Sequence, residues 1–189
     1  MPRTTKDATR QRLRDAVVAE TVEKGIGAVS VAGVVKRAQV SAGTVYVHYA
    51  NKDEMLRQVY MEIKTAFHDR LMAQDEGDTA HVIRAMWFRM FDFVERSPRE
   101  LLFLEYAGAA KILTADQQAI VDGYARDIAA ILRRGVDDGT LVALDPGVLS
   151  LLLIAPAMQL ARGSALSGAA LDPLLIEQTF DRVWLSIAA

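Results

Sequence analysis

Residues 31–52 read VAGVVKRAQVSAGTVYVHYANK, and this stretch decides the fold. Its apolar residues Val31, Val34, Val35, Ala38, Val40, Val45 and Tyr49 recur at helical spacing over two short segments separated by a tight turn. Between them stand Ser41, Thr44, Tyr46, His48 and Lys52, whose hydroxyl, imidazole and ammonium groups are donors of the kind that hold phosphate. Ser30 and Ser41 occupy the positions where two helices need amino-terminal caps. Asn51, with Glu54 three residues later, makes a capping box for a further helix. Two packed helices, the second short and polar on its outer face, form the arrangement that a helix-turn-helix places in the DNA major groove.

Working outward, no segment alternates as a strand would, and the helix starts are legible. A first helix is expected from about Asp7 to Lys24, with Leu13, Ala16, Val17 and Thr21 on its buried face and Gly25 ending it. The fourth runs on through Leu56, Tyr60, Ile63 and Phe67 to about Met72, where the polar stretch 74–79 breaks it. Asp78 or Thr79 opens a fifth that ends near Arg96, and Ser97-Pro98-Arg99-Glu100 opens a sixth. Thr114-Ala115-Asp116-Gln117 opens a seventh with Ile120, Tyr124, Ile128, Ile131 and Val136 expected to be buried. Asp145-Pro146 and Asp172-Pro173 repeat a cap-then-proline start for the last two. The fold class is therefore all-α, with nine helices.

Composition limits the chemistry. The 189 residues contain no cysteine, which excludes disulfides, thiolate metal sites and cysteine catalysis. The start MPRTTKDATRQR lacks the apolar core of a secretory signal. The uncharged run between Asp145 and Arg162, sixteen residues long, is too short to span a membrane. Net charge is −2, but residues 1–60 hold ten Lys or Arg against six Asp or Glu, and the rest twelve against eighteen. A basic head on an acidic body is the asymmetry expected when one end meets phosphate. Arg3, Lys6, Arg10, Arg12, Arg14 and Lys24 supply six of the ten cations, and a solvated charged arm accounts equally well for some of them.

The run AQVSAGTVYVHYANKDEML, residues 38–56, resembles the signature of TetR-type transcriptional regulators, roughly A-G-V-S-x-G-T-[LIV]-Y-x-[HY]-[FY]-x-[SN]-K-[ED]-x-[LM]-[LF]. Gln39 stands where that pattern has glycine, and Gly33 with Val35 departs from its usual first helix. The turn glycine serves a left-handed backbone, so Gln39 is expected to cost on the order of 1 kcal/mol. The resemblance implies a DNA-binding domain over residues 7–67, with the helix-turn-helix at about 30–49, and a ligand-sensing and dimerisation domain over 68–189. It implies binding to a palindromic double-stranded operator in the cytoplasm. Repression relieved by a small apolar or amphipathic molecule is the family's commoner mode.

By the same resemblance, Ser30, Ser41, Ala42, Gly43, Thr44, Tyr46, Val47, His48 and Lys52 are the DNA-contact residues. Thr44, Tyr46, His48 and Lys52 fall at sugar-phosphate positions, while Ser41 caps its helix and aims the dipole at a phosphate. Ala42 and Val47 cannot hydrogen-bond a base, so a preference from them would come from thymine methyl groups. Much of the specificity would then rest on Thr44, the arm and DNA shape.

Met86, Trp87, Met90, Phe91, Phe103, Glu105, Tyr106, Tyr124 and Met158 fall in the region that encloses the family's ligand, although stripes of this type also make plain core. The helix from Pro146 is apolar nearly all round and the last helix carries one apolar stripe, so both need cover. A homodimer interface is expected there through Leu149, Leu153, Leu160, Ile176, Phe180, Val183, Trp184 and Ile187.

The rivals are an enzyme and an all-helical interaction module that binds no DNA. His48, His68 and His81 lack a metal-binding repeat, and Asp78-x-x-His81 is the nearest approach to a di-iron motif. No phosphate loop, nucleophile elbow or triad pattern is present. No catalytic residue, metal or cofactor is therefore assigned.

Overall fold

The computed structural model describes residues 5–73 and 77–189. Arg3 of the basic arm and residues 74–76 of the expected break lie outside them. The described residues form nine α-helices in the expected order: α1 Thr5–Lys24, α2 Val31–Ala38, α3 Ala42–His48, α4 Lys52–Leu71, α5 Thr79–Arg96, α6 Pro98–Ala109, α7 Ala115–Asp137, α8 Pro146–Ser167 and α9 Pro173–Ile187. A single 3-10 turn, Ile26–Ala28, links α1 to α2. The one β-type pairing among them is an isolated bridge between Leu141 and Ala188.

The caps follow the sequence. Ser30 Oγ accepts from Gly33 N, Ser41 Oγ from Thr44 N, and Asp78, Asp145 and Asp172 cap α5, α8 and α9. Asn51 Oδ1 accepts from Glu54 N at 2.9 Å, and the Glu54 carboxylate reaches back to the Ala50 N–H at 2.7 Å, one residue earlier than a standard capping box. Gln39 closes α2 at φ 53°, ψ 48°, the left-handed conformation for which glycine is usual.

Two compact units divide the chain. The first holds the residues up to Lys64 together with Arg99–Thr114, and the second Thr65–Pro98 with Ala115–Ala189. The cut falls within α4, between Lys64 and Thr65, and nearly all of α6 groups with the amino-terminal unit. In that unit α1 packs on α2 and α2 on α3 around Leu13, Val17, Val34, Val45 and Met55, all essentially without exposure. Tyr49 is buried with them, and its burial pushes the phenol up to about 12, so the ring stays neutral in the core.

In the second unit α5 packs on α7, α8 and α9, and α8 lies between α7 and α9. Two expectations are corrected there. Ile120 is 49% exposed, and Tyr124, Ile128, Ile131 and Val136 are only half-buried; the buried residues of α7 are Leu132 and Gly135, near its carboxy-terminal end. Gly135 lies under Leu141, whose side chain fills the space a Cβ would take. Second, Leu149, Leu153, Phe180, Val183 and Ile187 are buried within the single chain and offer no surface to a partner. The Phe180 ring sits 5.5 Å from Trp87 and 5.8 Å from Trp184, because α9 turns this stripe onto α5. Leu160, Ile176 and Trp184 are half-buried, and α8 and α9 instead expose Leu151 (66%) and Leu185 (70%) on their other faces.

Helix α8 is also longer than its uncharged run. At 22 residues it has the length and hydropathy to cross a bilayer, yet Leu149, Leu153, Ala157 and Ala161 form an i, i+4 row buried among the unit's own helices.

The left-handed position gives a direct test of the α2–α3 turn. Gln39→Gly should stabilise the protein by up to about 1 kcal/mol, raising Tm by roughly 2–4 °C in a chain of this size. An unchanged or lowered Tm would show that Gln39 adopts its conformation without strain.

Candidate nucleic-acid interface

The short helix α3 is held by a few contacts and leaves most of its side chains outside. Val45 is its buried anchor, at 1% exposure. Ser41, Ala42, Gly43, Tyr46 and Val47 are exposed, Val47 at 77%, while Thr44 and His48 are half-buried. The Ser41 and Thr44 hydroxyls lie 2.9 Å apart, so one hydroxyl hydrogen is shared between them and the pair presents a combined polar edge. Ser30 is exposed at the start of α2, its oxygen engaged as the cap. Lys52, half-buried at the start of α4, donates to the Gly27 carbonyl at 3.1 Å and keeps two further N–H donors.

What fixes α2 and α3 is a buried carboxylate that no local pattern announces. Glu20, on α1, is 3% exposed. Its carboxylate accepts from Lys24 Nζ at 2.7 Å and from Arg37 Nε, on α2, at 3.1 Å. Arg37 also pairs with Glu23 through its Nη2, so one guanidinium bridges two carboxylates of α1. Gly33 completes the site, since a Cβ there would overlap the Glu20 carboxylate. The hydrogen bond from Lys24, seconded by Arg37, holds the Glu20 carboxyl below its usual range despite burial. The departure at Gly33 is therefore paired with Glu20.

The basic arm is less free than its composition suggests. Arg10 pairs with Glu62, Arg14 with Glu100 at 2.5 Å, and Lys24 with Glu20. Three of the six cations counted in the arm and first helix are thus engaged inside the head. Their partners lie 52 and 86 residues away for the two arginines, beyond the reach of any periodicity argument.

The ligand candidates are divided between the two units. Met86, Trp87, Met90 and Phe91 lie in the α5 core of the second unit, and the Trp87 indole N–H has no acceptor there. Phe103 is fully buried, and Glu105 and Tyr106 half-buried, on α6 of the first unit. Tyr124 stacks on His68 at 4.0 Å and shares a 2.8 Å hydrogen bond with Thr65, while Met158 is half-buried on α8. A cavity of about 400 Å³ in the second unit takes only Phe91 from the nine. Among the described residues no group of three or more His, Asp or Glu could hold a metal ion.

With this geometry established, comparison with known proteins is decisive. Residues 13–59 match the profile of the bacterial regulatory proteins of the tetR family, and residues 81–188 match the tetracyclin repressor-like C-terminal domain. The chain belongs to the TetR family. It is 26% identical over 168 residues to an uncharacterized HTH-type transcriptional regulator of Haemophilus influenzae, covering 87% of each chain. Its fold is similar to that of a TetR family transcription regulator from Marinobacter aquaeolei, with a TM-score of 0.85, 21% identity and 96% of each chain covered. A fatty acid degradation regulator from Bacillus halodurans aligns with a TM-score of 0.78 at 17% identity over 97% of each chain. As a TetR-family protein the chain is a DNA-binding transcriptional regulator and not an enzyme. Members of this family bind operators and small molecules and act as dimers.

The Glu20 cluster predicts an acid dependence with a defined sign. A carboxyl held below its usual value stabilises the fold fully above about pH 4.5, and that stabilisation is lost as the pH falls through the folded-state value. Glu20→Gln should cost about 1–3 kcal/mol at neutral pH and make the loss of stability on acidification shallower. Urea denaturation from pH 7 to pH 3 measures both; parallel pH profiles for the two proteins would contradict the assignment.

Proposed function

We propose that this TetR-family regulator binds a palindromic operator as a homodimer, is released from it by a small apolar or amphipathic ligand, and acts chiefly as a repressor. The observation that carries the DNA reading is the outer face of α3, where Ser41–Gly43, Tyr46 and Val47 stand exposed on a helix anchored by Val45. Ser41, Thr44, Tyr46, His48 and Lys52 hold the sugar-phosphate backbone, and Ser30 lies on the flank. Lys52 is aimed by its bond to Gly27 and neutralises phosphate with its remaining donors. Ala42 and Val47 meet base edges, where their only specific partner is a thymine methyl. A cytoplasmic location follows from an operator on bacterial DNA.

The dimer reading rests on α8 and α9. With one row of α8 buried in its own chain, Val148, Leu151, Leu152 and Leu166 remain exposed on it, as do Leu174, Leu175 and Leu185 on α9. So much apolar surface on two adjacent helices needs cover. A second copy offering the same faces gives a closed, self-complementary contact. The exposed Gln159 and Arg162 on α8 suit such an interface better than lipid. In this reading residues 7–67 form the DNA-binding domain and residues 68–189 the sensing and dimerisation domain.

Selection from a random DNA pool by the purified protein tests the proposal. The expected result is an enriched site with inverted repeats about one helical turn, or a multiple of it, from centre to centre. On that site Lys52→Ala should weaken binding to matched and mismatched sequences alike and reduce the salt slope by about one. Failure to enrich any sequence, or enrichment of a site without two-fold symmetry, would refute the operator reading.

A further inference from the structure

The cavity in the second unit is a candidate ligand site that shares only Phe91 with the ligand residues the family resemblance singles out. It measures about 400 Å³, within the range of about 300–1,000 Å³ typical of small-molecule pockets. Phe88 and Phe91 of α5 form one apolar wall, and Leu171 and Ile176, from the α8–α9 connection and α9, form another. Asp92 and Glu95 bring carboxylates to the lining, and among the described residues no Lys, Arg or His lines it. Ser164, which also lines it, spends its hydroxyl hydrogen on the Ala169 carbonyl at 2.7 Å. Every polar side chain of the cavity therefore faces a ligand as an acceptor.

The two carboxylates are not equivalent. Asp92 is already offset by Arg70 at 3.1 Å and by Arg96 at 3.7 Å. Glu95 makes no ion pair or side-chain hydrogen bond with any described residue, so its charge is uncompensated. An anionic ligand would meet this charge and find no side-chain donor. A ligand with an apolar body and an ammonium head would bury the body against the phenylalanines and hydrogen-bond the head to Glu95. We propose that this cavity binds an amphipathic organic cation, with Glu95 as the residue that selects its charge. The inference deepens the reading of a ligand-released regulator, and it rests on that reading only for its effect on DNA.

The test is isothermal titration of the full-length protein with decylammonium, decanoate and decanol, repeated on Glu95→Gln and Ala170→Phe. Glu95 and Ala170 are both exposed, so neither change disturbs the core, and an unchanged Tm verifies folding. Decylammonium should bind saturably and at least tenfold more tightly than decanoate. Glu95→Gln should lower its affinity by about three- to fivefold, the size of an exposed charge interaction, and leave decanol unaffected. Ala170→Phe, which fills the cavity, should abolish binding of both. Equal affinity for decanoate, absence of saturable binding, or indifference to both substitutions would overturn the site. Titrations on protein bound to its selected DNA separate the two readings. Binding that obeys the variants without releasing DNA upholds the site and counts against ligand release. Release by decylammonium that ignores both variants upholds ligand release and overturns the site.

Discussion

The buried Glu20 carboxylate is the constraint on which the DNA-binding head depends. Its two cationic partners come from α1 itself and from α2, and Gly33 leaves the space it occupies. Removing a partner leaves the buried Glu20 carboxylate short of a hydrogen bond, a loss of about 1–3 kcal/mol. The head has little else of that size to fix α2, whose buried side chains are only Val34 and Ala38. Since α3 follows α2 through the three-residue turn of Gln39, Val40 and Ser41 and is anchored mainly by Val45, the position of the groups exposed on α3 is inherited from the Glu20–Arg37 contact.

Helix order, caps and the left-handed turn were all legible in the sequence, because each is a local property. Ser30, Ser41, Asp145 and Asp172 need only a few neighbours to act as caps, and Gln39 adopts its backbone conformation where the family pattern has glycine. The Glu20–Arg37 pair was not legible, since its partners lie 17 residues apart on different helices. The same holds for Arg14 and Glu100. Charge composition counts the cations of the arm but cannot say that Arg10, Arg14 and Lys24 are engaged within the head.

Periodicity likewise finds an apolar stripe without saying what faces it. On α9, Phe180, Val183 and Ile187 satisfy the helical spacing because they pack on their own chain, while the most exposed large apolar side chain there is Leu185. On α8 the apolar composition runs all round, so no periodicity separates the inner row at Leu149 and Leu153 from the outer residues Leu151 and Leu152. The cavity beside α5 was hidden for a related reason. Its lining includes residues of the α8–α9 connection, which no helical pattern associates with Phe88 or Glu95.

On the proposed function, α3 is the element that meets DNA. Backbone amide shifts of the isotope-labelled protein, followed as its selected DNA is added, test it most directly. The largest changes are expected at Ser41, Ala42, Gly43 and Thr44, with smaller ones at Tyr46, Val47, His48 and Lys52. Unmoved α3 resonances beside strong shifts on α8 and α9 would contradict it.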